Sequence, residues 1–195
     1  MTAYSYYTAS TLDGFLADEN DSLDWLLSQP IDEDGPMNYA EFIGDVGALA
    51  MGSTTYEWLV EHEVEQGNPW PYEVPTFVFS TRDLTAVADT IRVVSGSPAD
   101  HRAALVDAAA GRDVWIVGGG DLAAQFWASG MLDELVVSIA PVLLGSGRPL
   151  FTARCDLELR DLAHDGTRDL EIKRFFVQPH ARGLGTSRAL LAALE

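Results

Sequence analysis

The 195-residue sequence predicts an α/β domain with a mostly parallel sheet. Three observations carry that expectation. Short β-prone apolar runs alternate with stretches of helical periodicity, as strand–helix–strand units require. Glycines stand where two of those strands hand over to helices, at Gly52 and at Gly118-Gly119-Gly120. Two last β-prone runs, Leu157 to Leu162 and Leu170 to Val177, flank Asp165-Gly166, a turn dipeptide suited to a closing antiparallel hairpin.

The elements follow in order. A first strand is expected at Tyr4 to Ala9, broken at Thr11-Leu12-Asp13-Gly14 and resumed by Phe15-Leu16-Ala17. Asn20-Asp21-Ser22 is turn chemistry, Asp24 stands at a helix start, and Ile31 to Gly35 is an acidic loop. Asn38 can cap a helix in which Tyr39, Phe42, Ile43 and Val46 recur at helical spacing. Gly47 to Met51 reads as a short buried strand. Gly52-Ser53-Thr54-Thr55 then opens a helix through Val60, and Glu61 to Val74 reads as a long polar loop. Thr76 to Ser80 and Ile91 to Ser95 are strands. Ser97 caps a helix with Pro98 at its first position and Asp100 in its first turn, ended by Gly111. Val114 to Val117 is an apolar strand, Asp121 to Ser129 a helix stopped by Gly130, and Leu135 to Ala140 another strand.

Charge excludes several function classes. Twelve Lys+Arg stand against 30 Asp+Glu, a net charge of −18, so the chain lacks the cationic footprint that nucleic acid demands. An anionic membrane surface is equally disfavoured. The distribution matters more than the total: residues 1–81 hold fifteen acids and no Lys or Arg, and Arg82 is the first cation. A pocket lined by those residues offers an anionic substrate no partner. Cys155 is the only cysteine, which excludes internal disulfides, Cys-rich zinc sites and iron–sulfur ligation. Met1 to Tyr4 lacks the basic and apolar regions of a signal peptide, and no run reaches transmembrane length, so a cytoplasmic protein is expected.

Three strand ends can carry chemistry. Gly118, Gly119 and Gly120 deliver a backbone without side chains to a helix start, where free N–H groups and the helix dipole favour phosphate. The same residues also suit a tight turn with no ligand; Asp121 at the helix start is counted with the candidate cofactor-binding residues, although its carboxylate would compete for the dipole. Gly52, Ser53 and Thr54 repeat the arrangement and add hydroxyls. Ser80, Thr81 and Arg82 join two hydroxyls to a cation, which suits a terminal phosphate. Three such ends in one parallel sheet can converge on a nucleotide cofactor. Other patterns fail: Glu61-His62-Glu63 lacks the second histidine of a helical zinc motif, no metal site is expected, and no nucleophile elbow occurs.

Taken together, these residues resemble the dihydrofolate reductase-like family that includes the reductase domain of riboflavin biosynthesis. The pieces are Ser10 to Ala17, Ser22 to Leu26, Ala50 to Glu57, Thr76 to Arg82, Val117 to Gly120 and Pro141 to Phe151, in family order. The resemblance spans about residues 3–177 and implies a mixed, mostly parallel sheet of about eight strands. It also implies a homodimer and NADPH as hydride donor. It assigns Gly118–Gly120 to pyrophosphate, Gly52 to Thr54 to the cofactor's phosphates and Ser80 to Arg82 to its adenosine end.

The departures narrow the substrate. Folate reductases carry an acid on the helix before the Met-Gly strand end; the matching position here is Pro36, with Asp34 and Asn38 nearby. The riboflavin reductases carry a Lys where this chain has Tyr7. Both substrates are anionic, and residues 1–81 provide no cation for them. A neutral or cationic small substrate is expected, unless Arg148 or a partner subunit reaches the pocket. Asp13, Asp24 and Tyr7 are the candidate proton sources for a carbonyl or imine product; each also reads as a turn, helix-start or core residue.

The tail from Gln178-Pro179 through Arg182-Gly183-Leu184-Gly185 to Leu194 resembles the CoA-binding motif of GNAT acetyltransferases. The rest of that fold is missing. Residues 1–178 are therefore expected to form the reductase domain and 179–195 an appended helix. The leading expectation is an NADPH-dependent reductase. The alternative is a non-catalytic nucleotide-binding protein on the same fold.

Overall fold

The computed structural model describes residues 2–29 and 38–155. Along the chain run β1 (Tyr4–Thr11), β2 (Phe15–Ala17), α1 (Asp24–Leu27), α2 (Tyr39–Gly44), β3 (Val46–Gly52), α3 (Ser53–His62) and β4 (Thr76–Phe79). They continue with β5 (Ile91–Val94), α4 (Arg102–Ala109), β6 (Asp113–Val117), α5 (Gly120–Ala128), β7 (Glu134–Ala140) and β8 (Arg148–Pro149). Six strands form one sheet in the order β5-β4-β3-β6-β1-β7, every neighbouring pair parallel. β2 and β8 form a separate antiparallel pair.

A parallel sheet is stable when both faces are covered, and the two cores show how this is done. Tyr4, Tyr6, Ala48, Ala50, Phe77, Val114 and Ile116 pack against Leu105 and Ala109 of α4 and Leu122, Ala123 and Phe126 of α5. On the other face Leu49, Met51, Val78, Trp115 and Val117 meet Tyr56 of α3, with Phe42 and Ile43 of α2 beside them. The split follows from handedness. Crossovers between parallel strands are right-handed. The path from β3 to β4 moves one way across the sheet and puts α3 on one face. The steps from β5 to β6 and from β6 to β7 move the opposite way, so α4 and α5 take the other face. Adjacent β3 and β6 therefore send their exits to opposite sides, which opens a crevice between them.

Local chemistry places the helix starts. Asn38 accepts from Glu41 N–H at 2.9 Å, and Ser97 and Asp100 form a capping box with Pro98 at the first turn. Several expectations need correction. Val46 belongs to β3 rather than to the helix before it, because α2 ends at Gly44. α3 runs on to His62, whose ring stacks on Trp58 one turn earlier at 4.1 Å, and a 3-10 turn follows at Val64–Gln66 where a loop was expected. The segment after Ser97 begins as 3-10 helix, Pro98–His101, before α4. Among the described residues the sheet has six strands, with the short pair β2–β8 beside it. The expected hairpin at 157–177, the boundary at 178 and the acetyltransferase-like tail lie outside the described residues. Among the described residues no helix is long and apolar enough to cross a membrane.

Candidate functional site

The crevice between β3 and β6 gathers the three strand ends singled out in the sequence. In the register Met51 stands opposite Val117 and Gly52 opposite Phe79, so all three exits leave the sheet at one level. Gly52 is the N-cap of α3, with φ −80° and ψ 162°, and Gly119 is the N-cap of α5; neither offers a side-chain cap. The first N–H groups of both helices therefore lack a side-chain acceptor of the usual kind. A Cβ at either glycine would meet no atom within 4 Å. The backbone at Gly52 and at Gly119 is thus open on the side that a side chain would take, and a helix start left so can meet a bound anion with its backbone donors.

The neighbouring glycines serve the protein itself. Gly118 has φ +82° and its missing Cβ would collide with the side chain of Thr55, so the β6 exit lies against the first turn of α3. At Gly120 a Cβ would strike the backbone carbonyls of Pro149 and Leu150. The segment after β8 thus packs on the start of α5, helped by Leu150 N–H donating to the Gly14 carbonyl at 2.8 Å. Asp121 spends its two oxygens on Gln125 at 2.8 Å and Thr152 at 3.2 Å.

Ser53 is half-buried, while Thr54, Thr81 and Arg82 are exposed. Ser80 Oγ accepts from Arg82 N–H at 2.9 Å, which folds the exit of β4 into a tight turn. The Arg82 guanidinium makes a two-point ion pair with Glu57 of α3, at 2.8 and 2.6 Å. Glu57 and Thr55 were missed in the sequence reading, since only the adjacency of β3 and β4 or β6 brings their partners near.

The remaining candidates separate in space. Asp13 is a clamp between loops: its carboxylate accepts from Thr11 Oγ1 at 2.6 Å, Leu144 N–H at 3.2 Å and Gly145 N–H at 2.7 Å. The Thr11 hydroxyl first, then the Gly145 and Leu144 N–H groups, hold its carboxyl below the ordinary carboxylate value, so at neutral pH it is ionised and carries no proton to deliver. Asp24 is exposed at the first position of α1. Tyr7 is half-buried on the α2 face, stacked on Phe42 with ring centroids 4.2 Å apart and planes 15° off parallel. Trp115 is the hub of this aromatic wall: Phe42 lies 5.3 Å away, and Tyr39 and Tyr72 each 5.9 Å. Its indole N–H donates to the Tyr7 carbonyl at 3.0 Å. Burial raises the phenol pKa of Tyr39 and Tyr72, so both stay protonated at neutral pH.

The chain as a whole is similar to known proteins. The RibD C-terminal domain family model matches residues 5–168. The uncharacterized protein YwjB of Bacillus subtilis is 31% identical over 145 residues, which is 74% of this chain and 80% of that protein. A solved structure from Shewanella sp. PV-4, named for riboflavin biosynthesis, superposes with a TM-score of 0.68 at 27% identity, covering 86% of this chain and 93% of that one. A Thermotoga maritima diaminohydroxyphosphoribosylaminopyrimidine deaminase/5-amino-6-(5-phosphoribosylamino)uracil reductase shares the fold, with a TM-score of 0.51 at 16% identity over 84% of this chain and 50% of that one.

Proposed function

Because this chain belongs to the RibD C-terminal domain family, we propose that it is an NADPH-dependent reductase of a small, neutral or cationic substrate. The observation that carries the reading is the pair of glycine N-caps, Gly52 and Gly119, open on one edge of the sheet at the β3–β6 switch. Such an edge fits a diphosphate: the first-turn N–H groups of α3 and α5 bind it, with the hydroxyls of Ser53 and Thr54 beside them. The Ser80–Arg82 turn is where the adenosine end belongs. NADPH bound in this way supplies a hydride for a carbonyl or imine carbon.

The chain's own residues do the rest. Tyr7 and Phe42, half-buried and stacked on each other, supply flat apolar surface that can orient a planar group, backed by the buried Trp115. With Asp13 committed to the loop clamp and Asp24 exposed, Tyr7 is the proton source in this reading, delivering from its hydroxyl to the reduced atom. The substrate is neutral or cationic because no Lys or Arg occurs in residues 1–81. Arg148 is held by Asp21 in a two-point ion pair. The family resemblance also supports a homodimer. A second reading, nucleotide binding without turnover, draws on Asp13 and Asp24 being unsuited to proton delivery.

Thermal unfolding with NADPH, NADH and acetyl-CoA, each titrated separately, tests the proposal. A ligand at about a hundred times its Kd adds roughly 2.7 kcal/mol, or about 5–11 °C for a chain of this size. No shift with either nicotinamide cofactor overturns it. NADPH oxidation that depends on an added carbonyl or imine then separates the reductase from the silent binder.

A further inference from the structure

Arg82 is a cation placed at the proposed nucleotide edge. Arg102 donates to the carbonyls of Ser129 and Gly130, Arg148 pairs with Asp21, and Arg92 lies over the Phe77 ring. Arg82 is itself engaged: Nη1 donates to Glu57 Oε1 at 2.8 Å and Nη2 to Oε2 at 2.6 Å. The two side chains are 54% and 45% exposed, so water competes and the pair does little to hold the fold. Its place gives it another consequence. Glu57 sits in the second turn of α3, the helix that starts at the open Gly52, and Phe79 stands opposite Gly52 in the register. Ser80–Arg82 therefore leaves the sheet beside the start of α3, and the ion pair spans the two.

NADPH and NADH differ by one 2′-phosphate, a group of about −1.5 to −2 charges at neutral pH. We infer that Glu57 sets the cofactor selectivity of this chain: by occupying the Arg82 guanidinium it cancels the charge that would reward the 2′-phosphate, and the protein discriminates only weakly between NADPH and NADH. The inference rests on the proposal that this edge holds a nicotinamide dinucleotide. A 2′-phosphate must displace the carboxylate from the guanidinium or share it, and either way one acid stays within a side chain's reach of another. A ribose 2′-hydroxyl meets no such repulsion, and a carboxylate can accept its hydrogen bond.

Isothermal titration calorimetry on the full chain, with NADPH and NADH separately, tests this without any substrate. The proteins are wild type, Glu57→Gln, Arg82→Gln and the double variant; both positions are exposed, so each variant is expected to fold. Wild type should bind the two nucleotides within about tenfold of each other, and Glu57→Gln should tighten NADPH about tenfold while NADH moves by less than about twofold. In the double variant that gain disappears. An unchanged NADPH/NADH ratio in Glu57→Gln overturns the inference. Weaker NADPH binding in that variant overturns it too, because Glu57 would then be positioning Arg82 for the phosphate. In both cases nucleotide binding survives and the reductase proposal stands. If wild type binds neither nucleotide, both fall.

Discussion

Replacing Gly52 with serine sets stability against binding. Gly52 has the extended backbone of a good N-cap, φ −80° and ψ 162°, but no side chain to accept from the first turn of α3. A Cβ there meets nothing within 4 Å, so the replacement fits without strain. Serine gains a few tenths of a kcal/mol over glycine as a cap. It also reduces the freedom of the unfolded chain, worth about 0.4–1 kcal/mol. Together these raise stability by about 0.5–1.5 kcal/mol, or about 1–6 °C in Tm for a chain of this length. The same hydroxyl takes N–H groups that the proposed diphosphate needs, and its methylene enters the open space. Losing one or two hydrogen bonds to a charged group costs about 1.5–3 kcal/mol each, so NADPH should weaken by at least about tenfold. Differential scanning calorimetry gives the first quantity and calorimetric titration the second. A Gly52→Ser protein that binds NADPH as well as wild type refutes the phosphate role of the α3 start. A fall in Tm refutes the open geometry.

Gly118→Ala should do the reverse, lowering stability first: φ +82° costs an L-residue about 1–2 kcal/mol, and crowding Thr55 adds about 1–3 kcal/mol. Tm should drop by about 4–20 °C, and a drop of less than about 2 °C in calorimetry would show that the β6 exit does not press on α3. The Asp13 clamp predicts a pH dependence. Its folded pKa lies below the ordinary 3.8, so its stabilising effect is fully present above that value and is lost as pH falls through the folded pKa. The Tm gap between wild type and Asp13→Asn should be widest near neutrality and close below about pH 4; a gap that widens on acidification contradicts the clamp.

What the sequence made legible was local. Asn38, the Ser97–Asp100 box and the β-prone runs up to Ala140 act through neighbours a few residues away, and the structure keeps them. The three strand ends were legible because the chemistry of a glycine at a helix start is local as well. The remainder depends on chain segments far apart in sequence. The β3–β6 register shifts between Val46 and Ala48, where Gly47 has no room for a Cβ against the Ala109 backbone; α4 dictates that bulge. β8 is two residues long and pairs with β2 across more than a hundred residues, which no periodicity announces. Gly120 reads as part of a phosphate turn, yet the backbone of Pro149 and Leu150 already requires a glycine there.

That division also bears on how so acidic a chain can serve an anionic cofactor. A site built from cations would need a local surplus of Arg and Lys, and the first eighty-one residues have none. A site built from helix starts needs none, because its donors are backbone N–H groups whose partial charge no substitution of side chains removes. On the proposed reading the diphosphate is met by the backbone at Gly52 and Gly119, while the cation at the β4 exit, Arg82, is neutralised by Glu57. The lack of Lys and Arg in residues 1–81 then bears on the substrate: a phosphorylated or carboxylated molecule finds no cationic partner there, whereas a neutral or cationic one needs none beside Tyr7 and Phe42. Selection by charge thus falls on the substrate, and the cofactor is recognised by geometry.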